Sequence, residues 1–174
     1  GPAPAATAGL GGKVYIAEIS INEGQTFAFR CGKGGRGGAG GQAQNVYGDM
    51  DDELRKGQPG SPGTATTFGA YSSSNGKQYP AGITDVETGA YYGASGIDGT
   101  EAVENPKPAA SASSNTGNGG NGGDSGNNGV YRNVISDGHF VRRQWVVESS
   151  PGAPGGNGAD GLIIIRYNDP EETA

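Results

Sequence analysis

The run CGKGGRGGAGGQA, from Cys31 to Ala43, decides the fold because seven of its thirteen residues are glycine. Glycine loses more backbone freedom on folding than any other residue, so ordering this run has a high entropic cost. Contacts that only a backbone without side chains can make must offset that cost. Divided into triplets, the run becomes GKG-GRG-GAG-GQA, which leaves two faces of a three-residue helix as glycine. The third face carries Lys33, Arg36, Ala39 and Gln42. The spacing therefore predicts a left-handed polyproline-II helix, which has about three residues per turn and no internal hydrogen bonds.

Two further runs repeat the pattern: TGNGGNGGDSGNNG from Thr116 to Gly129 and PGAPGGNGADG from Pro151 to Gly161. Bare faces let such helices approach closely, so that backbone N–H groups reach the carbonyls of neighbouring helices. We therefore predict a bundle in which glycine is a packing surface. The structural glycines of the prediction are Gly32, Gly34, Gly35, Gly37, Gly38, Gly40, Gly41, Gly117, Gly119, Gly120, Gly122, Gly123, Gly155, Gly156, Gly158 and Gly161.

Other interpretations of the glycine runs fit less well. A flexible linker does not usually return to the same sheet, whereas each run adjoins a strand pattern. Collagen needs a strict Gly-X-Y repeat over many triplets, and these runs are short. Gly32-x-Gly34-x-x-Gly37 has dinucleotide-binding spacing, but no helix pattern follows it. Gly119 to Asp124 matches half of a calcium-binding nonapeptide once, whereas that motif binds calcium as a stacked array of repeats. Whether a calcium ion binds there, or at the acidic residues Asp49 to Glu53, is left open by the sequence.

The composition limits the possible functions. The chain has 174 residues, of which 36 are glycine and only 32% are hydrophobic, so we predict a thin side-chain core. Its net charge of −6 argues against a nucleic-acid partner, which would require a basic surface. No apolar run reaches the ~20 residues that span a bilayer. Cys31 and His139 are the single cysteine and histidine, too few for an internal disulfide or a transition-metal site. We expect a buried Cys31, no cofactor and no enzymatic activity, since acid–base chemistry would fall to carboxylate pairs alone.

Two segments near the N-terminus favour β-structure. Lys13 to Ile21 is rich in β-branched and aromatic residues, and Thr26 to Cys31 alternates. Asn22 to Gln25 between them has turn chemistry, with Gly24 as the position of positive φ. The pattern predicts a β-hairpin. Further along, Gly48 to Gly57 places acids before bases, which suits one helical turn.

Two more strand patterns lie in the C-terminal half. VYRNVISDGHFVRRQWVVES, from Val130 to Ser149, predicts a second hairpin around Asp137-Gly138, a strong two-residue turn signal. Its second strand is expected to place His139, Val141, Arg143, Trp145 and Val147 on one face. Leu162 to Tyr167 contains four consecutive large aliphatic residues, which predicts a strand buried on both faces. The fold class is therefore mostly β with irregular structure, in which β-hairpins and a terminal buried strand combine with a bundle of glycine-rich polyproline-II helices.

The chain divides into three parts. Residues 1–12 suggest a linker, and Gly1-Pro2 resembles the scar left when a protease removes a tag. Residues 13–168 are expected to form a single glycine-rich domain with loop insertions at about 72–116 and 130–150. Residues 169–174 form an acidic tail.

Three motifs together resemble the glycine-rich domain of bacteriophage tail fibres and of prophage-encoded or bacterial surface proteins. They are ISINEGQTFAFRCGKGGRGGAGG (Ile19 to Gly41), GTATTFGAY (Gly63 to Tyr71) and PGAPGGNGADGLIIIRY (Pro151 to Tyr167). The resemblance implies a polyproline-II scaffold whose loops recognise receptors, in a virion tail fibre or at the cell surface. Residues 72–116 and the second hairpin depart from the family pattern as insertions.

The function expected from this resemblance is attachment to a host-surface receptor, either a bacterial surface glycan or an outer-surface protein. Tyrosine and tryptophan offer large, stiff contact areas at low entropic cost. The receptor-contact candidates are Tyr71, Tyr79, Tyr91, Tyr92, Tyr131 and Trp145. Packing is the competing role for each of them. The alternative function is a structural spacer that contacts only other domains of the parent chain. A third function, ice binding, would need a regular flat face of small residues, and the charged row of Lys33 and Arg36 argues against it.

Overall fold

Regular secondary structure is sparse in the computed structural model, which describes residues 4–167. The strands form a three-stranded sheet β1-β2-β3 and two hairpins, β4-β5 and β6-β7, all antiparallel. Their bounds are β1 Phe29–Arg30, β2 Thr67–Phe68, β3 Tyr71–Ser72, β4 Ile83–Thr84, β5 Tyr91–Tyr92, β6 Val130–Ser136 and β7 His139–Val147. A single helical turn, α1, spans Asp52–Arg55, and a 3-10 turn spans Ser73–Asn75. The predicted mixture of short antiparallel strands and irregular structure is confirmed.

Seven stretches of the chain are joined by backbone hydrogen bonds that recur at every third residue. The N–H groups of Gly152, Gly155, Gly158 and Gly161 donate to the carbonyls of Gly41, Gly38, Gly35 and Gly32 over 2.9–3.0 Å. Helices bond within one segment and strands pair with a period of two, so this ladder belongs to neither. We call the stretches joined in this way ladder segments 1 to 7. They comprise residues 6–12, 32–42, 54–64, 94–100, 109–112, 117–127 and 150–161.

Segments 6 and 7 lie at the centre of the ladder network. Segment 6 runs antiparallel to segment 1, and the N–H of Gly9 donates to the Gly120 carbonyl over 2.9 Å. It runs parallel to segment 4, where the N–H of Gly122 donates to the Ile97 carbonyl over 2.8 Å. It also bonds antiparallel to segment 7, which in turn bonds to segments 2 and 5, while segment 3 pairs with segment 2. The glycines of segment 6 after Gly117 are accordingly buried. Within residues 4–167, Ala153 is the one buried apolar side chain, so the interior consists mainly of backbone.

The glycines permit this close approach of backbones. A Cβ atom built on twelve of the sixteen glycines named above would lie inside 3.0 Å of a neighbouring segment's carbonyl oxygen, a distance that real Cβ atoms essentially never show. Gly161 would meet the Thr66 hydroxyl instead, Gly155 and Gly158 have room, and Gly117 has open space but a φ of +65°. The outward row of segment 2, Lys33, Arg36, Ala39 and Gln42, is exposed, as the triplet pattern predicts.

Side chains at every third position bond to the backbone amides that the ladder leaves over. The Oδ1 atoms of Asn118, Asn121 and Asp124 accept hydrogen bonds from the N–H groups of Ala94, Ile97 and Thr100 over 2.9, 3.0 and 2.7 Å. On segment 7, Asn157 and Asp160 accept in the same way from Gly37 and Gly34. These bonds explain why Asn or Asp recurs at every third residue of both segments, because each side chain supplies an acceptor to an N–H that the backbone ladder leaves over.

The first predicted hairpin does not form. The turn at Asn22 to Gln25 is present, with a 3.1 Å backbone bond and a φ of +80° at Gly24, but Lys13 to Ile21 is not a strand. The prediction of a strand over Thr26 to Cys31 holds only for Phe29–Arg30, and these residues pair with Phe68 and Thr67 instead. The rings of Phe27 and Phe68 stack with their centroids 4.8 Å apart. A contact between residues distant in the sequence thus takes the place of the local pairing.

Two expectations of burial are also wrong. Leu162 to Tyr167 is not a strand, and Ile164 and Ile165 are 47% and 60% exposed, because no backbone hydrogen bond joins this segment to the rest of the described chain. Cys31 is exposed, as are both residues of β1 before it, because no other segment covers this end of the strand. Hydrophobicity favoured burial at these positions without specifying a partner to cover them.

The linker and loop boundaries also shift. Residues 6–12 form ladder segment 1 rather than a linker, because their N–H groups donate to segment 6 and their carbonyls accept from segment 4. Within the predicted loop region 72–116, residues 94–100 and 109–112 join the ladder as segments 4 and 5. Residues 94–100 carry only two glycines at triplet spacing, Gly96 and Gly99, and residues 109–112 carry none, so composition marks them weakly. The predicted acidic tail, residues 169–174, lies outside the described residues.

Candidate binding surface

The six aromatic candidates occupy three separate places. Tyr71 lies in β3, half-buried, with its ring centroid 5.8 Å from that of Tyr15. Tyr79, Tyr91 and Tyr92 belong to the β4-β5 hairpin and its flanking turn, and Tyr131 and Trp145 face each other across β6 and β7. The Tyr71 contact is a packing contact, while the two hairpins present aromatic side chains to solvent.

The β4-β5 hairpin is anchored by an ion pair. Asp85 is 9% exposed and accepts a hydrogen bond from Arg166 over 2.5 Å, and the same guanidinium pairs with Glu87 over 3.0 Å. The N–H of Glu87 and then the Arg166 guanidinium lower the pKa of the Asp85 carboxyl. Tyr91 is 56% exposed on this hairpin. The ion pair fixes the loop against the C-terminal segment and leaves Tyr91 accessible.

The β6-β7 hairpin forms as the sequence predicts. Asp137 and Gly138 both have positive φ, 49° and 73°, which is the conformation that a two-residue type I′ turn requires. The predicted single face on β7 is wrong, because the register skips Val141 and Val146 and each bulge interrupts the alternation. Trp145 and Arg143 keep a common face, since the register between them is regular.

An arginine and two tyrosines cluster on that face. The Arg143 guanidinium lies 4.3 Å from the ring centroid of Tyr131 and 5.7 Å from that of Tyr47, and it donates to the Tyr47 carbonyl over 2.9 Å. These contacts tie the hairpin to the loop that follows segment 2. Cation–π contacts of this kind contribute about 0.5–1 kcal/mol each when exposed. The cluster therefore orients the hairpin and its aromatic side chains.

A cavity of about 220 Å³ lies at the base of the hairpin. The residues that line it include Gln44, Asn45, Arg55, Asn128, Tyr131 and Trp145. Arg55, at the end of α1, is 9% exposed and donates from Nη2 to the Asn128 Oδ1 over 2.5 Å. The predicted helical turn is confirmed in α1, where the Asp51 side chain caps the N–H of Glu53.

Sequence reasoning missed four residues of this surface: Tyr47, Arg55, Asn128 and Arg143. Arg55 carries the one signal that could have identified it, a basic residue at the end of a predicted helical turn. Arg143 shares the face of Trp145 that the alternation of β7 predicts, whereas Tyr47 and Asn128 join them only because the loop after segment 2, the end of segment 6 and β7 converge. No local pattern marks that convergence.

No protein-family model, curated protein or solved structure matches the chain. Between residues 4 and 167 there is no helix with the length and apolarity needed to cross a bilayer. That part of the chain also contains no group of three or more His, Cys, Asp or Glu residues placed to hold a metal ion.

Proposed function

We propose that this chain is a non-enzymatic attachment scaffold of a phage tail fibre or cell-surface protein. A bundle of polyproline-II helices would form the scaffold, and the β4-β5 and β6-β7 hairpins would present aromatic contacts to a receptor on a bacterial surface. The observation that carries the proposal is the Tyr47, Tyr131 and Arg143 cluster beside Trp145, on a hairpin joined to a ladder of backbone hydrogen bonds.

The polyproline-II assignment is supported by the period of the ladder. A helix with about three residues per turn presents the same face at every third residue and keeps no N–H for itself, so its donors must bond to neighbours. The bonds of segment 7 to segment 2 follow this rule over Gly152, Gly155, Gly158 and Gly161. Amide hydrogen exchange should then show slow exchange in two sets, each with a spacing of three residues: Gly152, Gly155, Gly158 and Gly161, which bond to segment 2, and Ala153, Gly156 and Ala159, which bond to segment 6. Fast exchange of either set would contradict the assignment.

The attachment role is supported by exposure and charge. Residues 130–150 carry three arginines against two acidic residues, on a chain with a net charge of −6. Tyr131 is 46% exposed despite its contact with Arg143. Aromatic and arginine side chains dominate the energetics of many binding sites. A locally basic, aromatic hairpin on an acidic scaffold suits the anionic glycans of bacterial surfaces.

A spacer or assembly role is the second candidate, and the exposed apolar segments favour it. Ile16 is 70% exposed and Ile165 is 60% exposed, on two segments that no strand of the structure includes. Exposed apolar patches of this kind often mark contacts with other proteins or domains. In this role, other domains of the parent chain would cover both segments.

Binding of the fluorescently labelled protein to a panel of bacteria and to a glycan array separates the two roles. Attachment predicts labelling that Tyr131→Ala or Tyr91→Ala weakens, depending on which hairpin makes the contact. Tyr15→Ala is the matched control, because Tyr15 belongs to neither hairpin and its ring packs against Tyr71. The absence of labelling on every surface would favour the spacer.

A further inference from the structure

We propose that one face of the β6-β7 hairpin binds a stretch of acidic polysaccharide, with Arg143 as the contact for a carboxylate of the polymer. This inference rests on the proposed attachment function, and it names the face, the central residue and the class of ligand. Three cross-strand pairs in a row form this face, which we call the aromatic face: Tyr131 with Trp145, Asn133 with Arg143, and Ile135 with Phe140. Both bulges lie in β7, so the residues of β6 alternate without interruption and keep the three pairs on one side.

The aromatic face is open to solvent along its length. Ile135 and Phe140 are each more than half exposed, and Tyr131 is only slightly less so. Residues two apart on a strand are separated by roughly 7 Å, so the three pairs extend over about 14 Å. A surface of this length accommodates several units of an extended polymer better than one small molecule.

Arg143 is oriented at the centre of the face before any ligand arrives. Its guanidinium lies over the ring of Tyr131 and donates from Nη1 to the Tyr47 carbonyl over 2.9 Å. Within residues 4–167 no ion pair involves Arg143, so no acidic side chain of that part of the chain competes with a ligand for it. A guanidinium has five N–H donors in a planar fork that matches a carboxylate. The donors that Tyr47 leaves over are therefore available to a carboxylate of the ligand.

The rings on either side of Arg143 favour a sugar polymer over other anions. Tyr131 and Trp145 lie one pair away along the hairpin in one direction, and Phe140 lies one pair away in the other. The C–H faces of sugar rings pack against flat amphipathic rings of this kind, while a carboxylate of the polymer binds the arginine between them. Because residues 130–150 are locally basic on an acidic chain, such a polymer is attracted to the hairpin and repelled by the chain as a whole.

Titration with polysaccharides, followed by the fluorescence of Trp145, tests the ligand class, since Trp145 is the single tryptophan of the chain. We expect polygalacturonate and hyaluronate to change this fluorescence saturably, and neutral dextran at equal mass concentration to leave it unchanged. Added salt should weaken the response, because it screens exposed ion pairs. An equal response to dextran, no response to either acidic polymer, or a response that salt does not weaken would overturn the proposal.

Arg143→Gln tests the central contact and should weaken binding of polygalacturonate about tenfold or more, because charge-assisted hydrogen bonds are lost. Arg142→Gln is the matched control, since Arg142 pairs with Val134 on the opposite face of the hairpin and its substitution changes the net charge equally. The control should leave binding within about twofold. An equal loss in both variants would overturn the proposal, because it would show that the polymer recognises the charge of the hairpin and not one face.

Phe140→Ala is a second variant that does not touch the contacts of Arg143 with Tyr47 and Tyr131. It should weaken binding about fivefold through the loss of ring contact, and unchanged binding would contradict the aromatic face. Labelling of bacteria without a response to acidic polysaccharide refutes this ligand and leaves the attachment function, whereas a polysaccharide response without labelling does the reverse.

Discussion

Substitution of Gly156 by alanine tests whether glycine acts here as a packing surface. Gly156 lies in segment 7, where its N–H donates to Asn121 over 2.9 Å. A Cβ on Gly156 would overlap the carbonyl oxygen of Ala110, about 1 Å inside the 3.0 Å limit for such contacts. The adjacent Gly155 is the matched control, because a Cβ there would lie 3.5 Å from its nearest neighbour, an ordinary contact.

The magnitude follows from the bonds that the displacement would break. Segment 5 is joined to segment 7 by Ala109 donating to Pro154 over 3.0 Å and Ala112 donating to Asn157 over 2.9 Å. Each bond contributes about 0.5–1.5 kcal/mol net, and overpacking itself costs about 1–3 kcal/mol. Gly156→Ala should therefore lower the free energy of unfolding by about 2–6 kcal/mol. Gly155→Ala should be neutral or stabilising by about 0.4–1 kcal/mol, through the entropy of the unfolded chain.

Urea denaturation followed by circular dichroism measures both variants under one set of conditions. Hydrogen exchange at Ala109 and Ala112 should report the separation of segment 5 in Gly156→Ala alone. Equal stabilities for the two variants, or a greater loss in Gly155→Ala, would refute the close approach of these backbones. The same result would undermine the interpretation of the glycine runs as packing surfaces.

Two further predictions concern polar groups of the ladder. The pKa of the Asp160 carboxyl lies below its ordinary value because the N–H of Gly34 donates a hydrogen bond to it. The ionised carboxylate therefore stabilises the folded protein above the pKa that Asp160 has in the unfolded chain. This stabilisation is lost as the pH falls through the lower pKa of the folded state. Urea unfolding at stepwise lower pH, from about pH 5 downwards, should therefore show a flatter loss of stability in Asp160→Asn than in the native chain, and an unchanged slope would contradict this. Asn121→Ala removes the acceptor for the N–H of Ile97 in an exposed hydrogen bond, so it should cost about 0.5–1.5 kcal/mol by urea denaturation and expose that amide to exchange. Asn75→Ala, in an exposed turn, is its control, and a cost as large there would show that the ladder bond is not the cause.

Local signals in the sequence were sufficient for three parts of the structure. The Asp137-Gly138 turn and the acids-before-bases order of α1 act over a few residues, so both elements form where the sequence places them. The exposed row from Lys33 to Gln42 follows from the triplet spacing alone. The candidate surface was only half visible, because Tyr131 and Trp145 stand out by residue type whereas Arg55 became part of the cavity through tertiary packing.

The sequence by itself determined the triplet period of the glycine runs and the positions of the tight turns, because both depend on residue type and spacing over short distances. Only the tertiary structure decided which segments pair. A run of triplets offers the same N–H and carbonyl groups to any neighbour, so nothing in Cys31 to Ala43 specifies segment 7 on one side and segment 3 on the other. The same freedom allowed residues 6–12 to enter the ladder and left Leu162 to Tyr167 outside it.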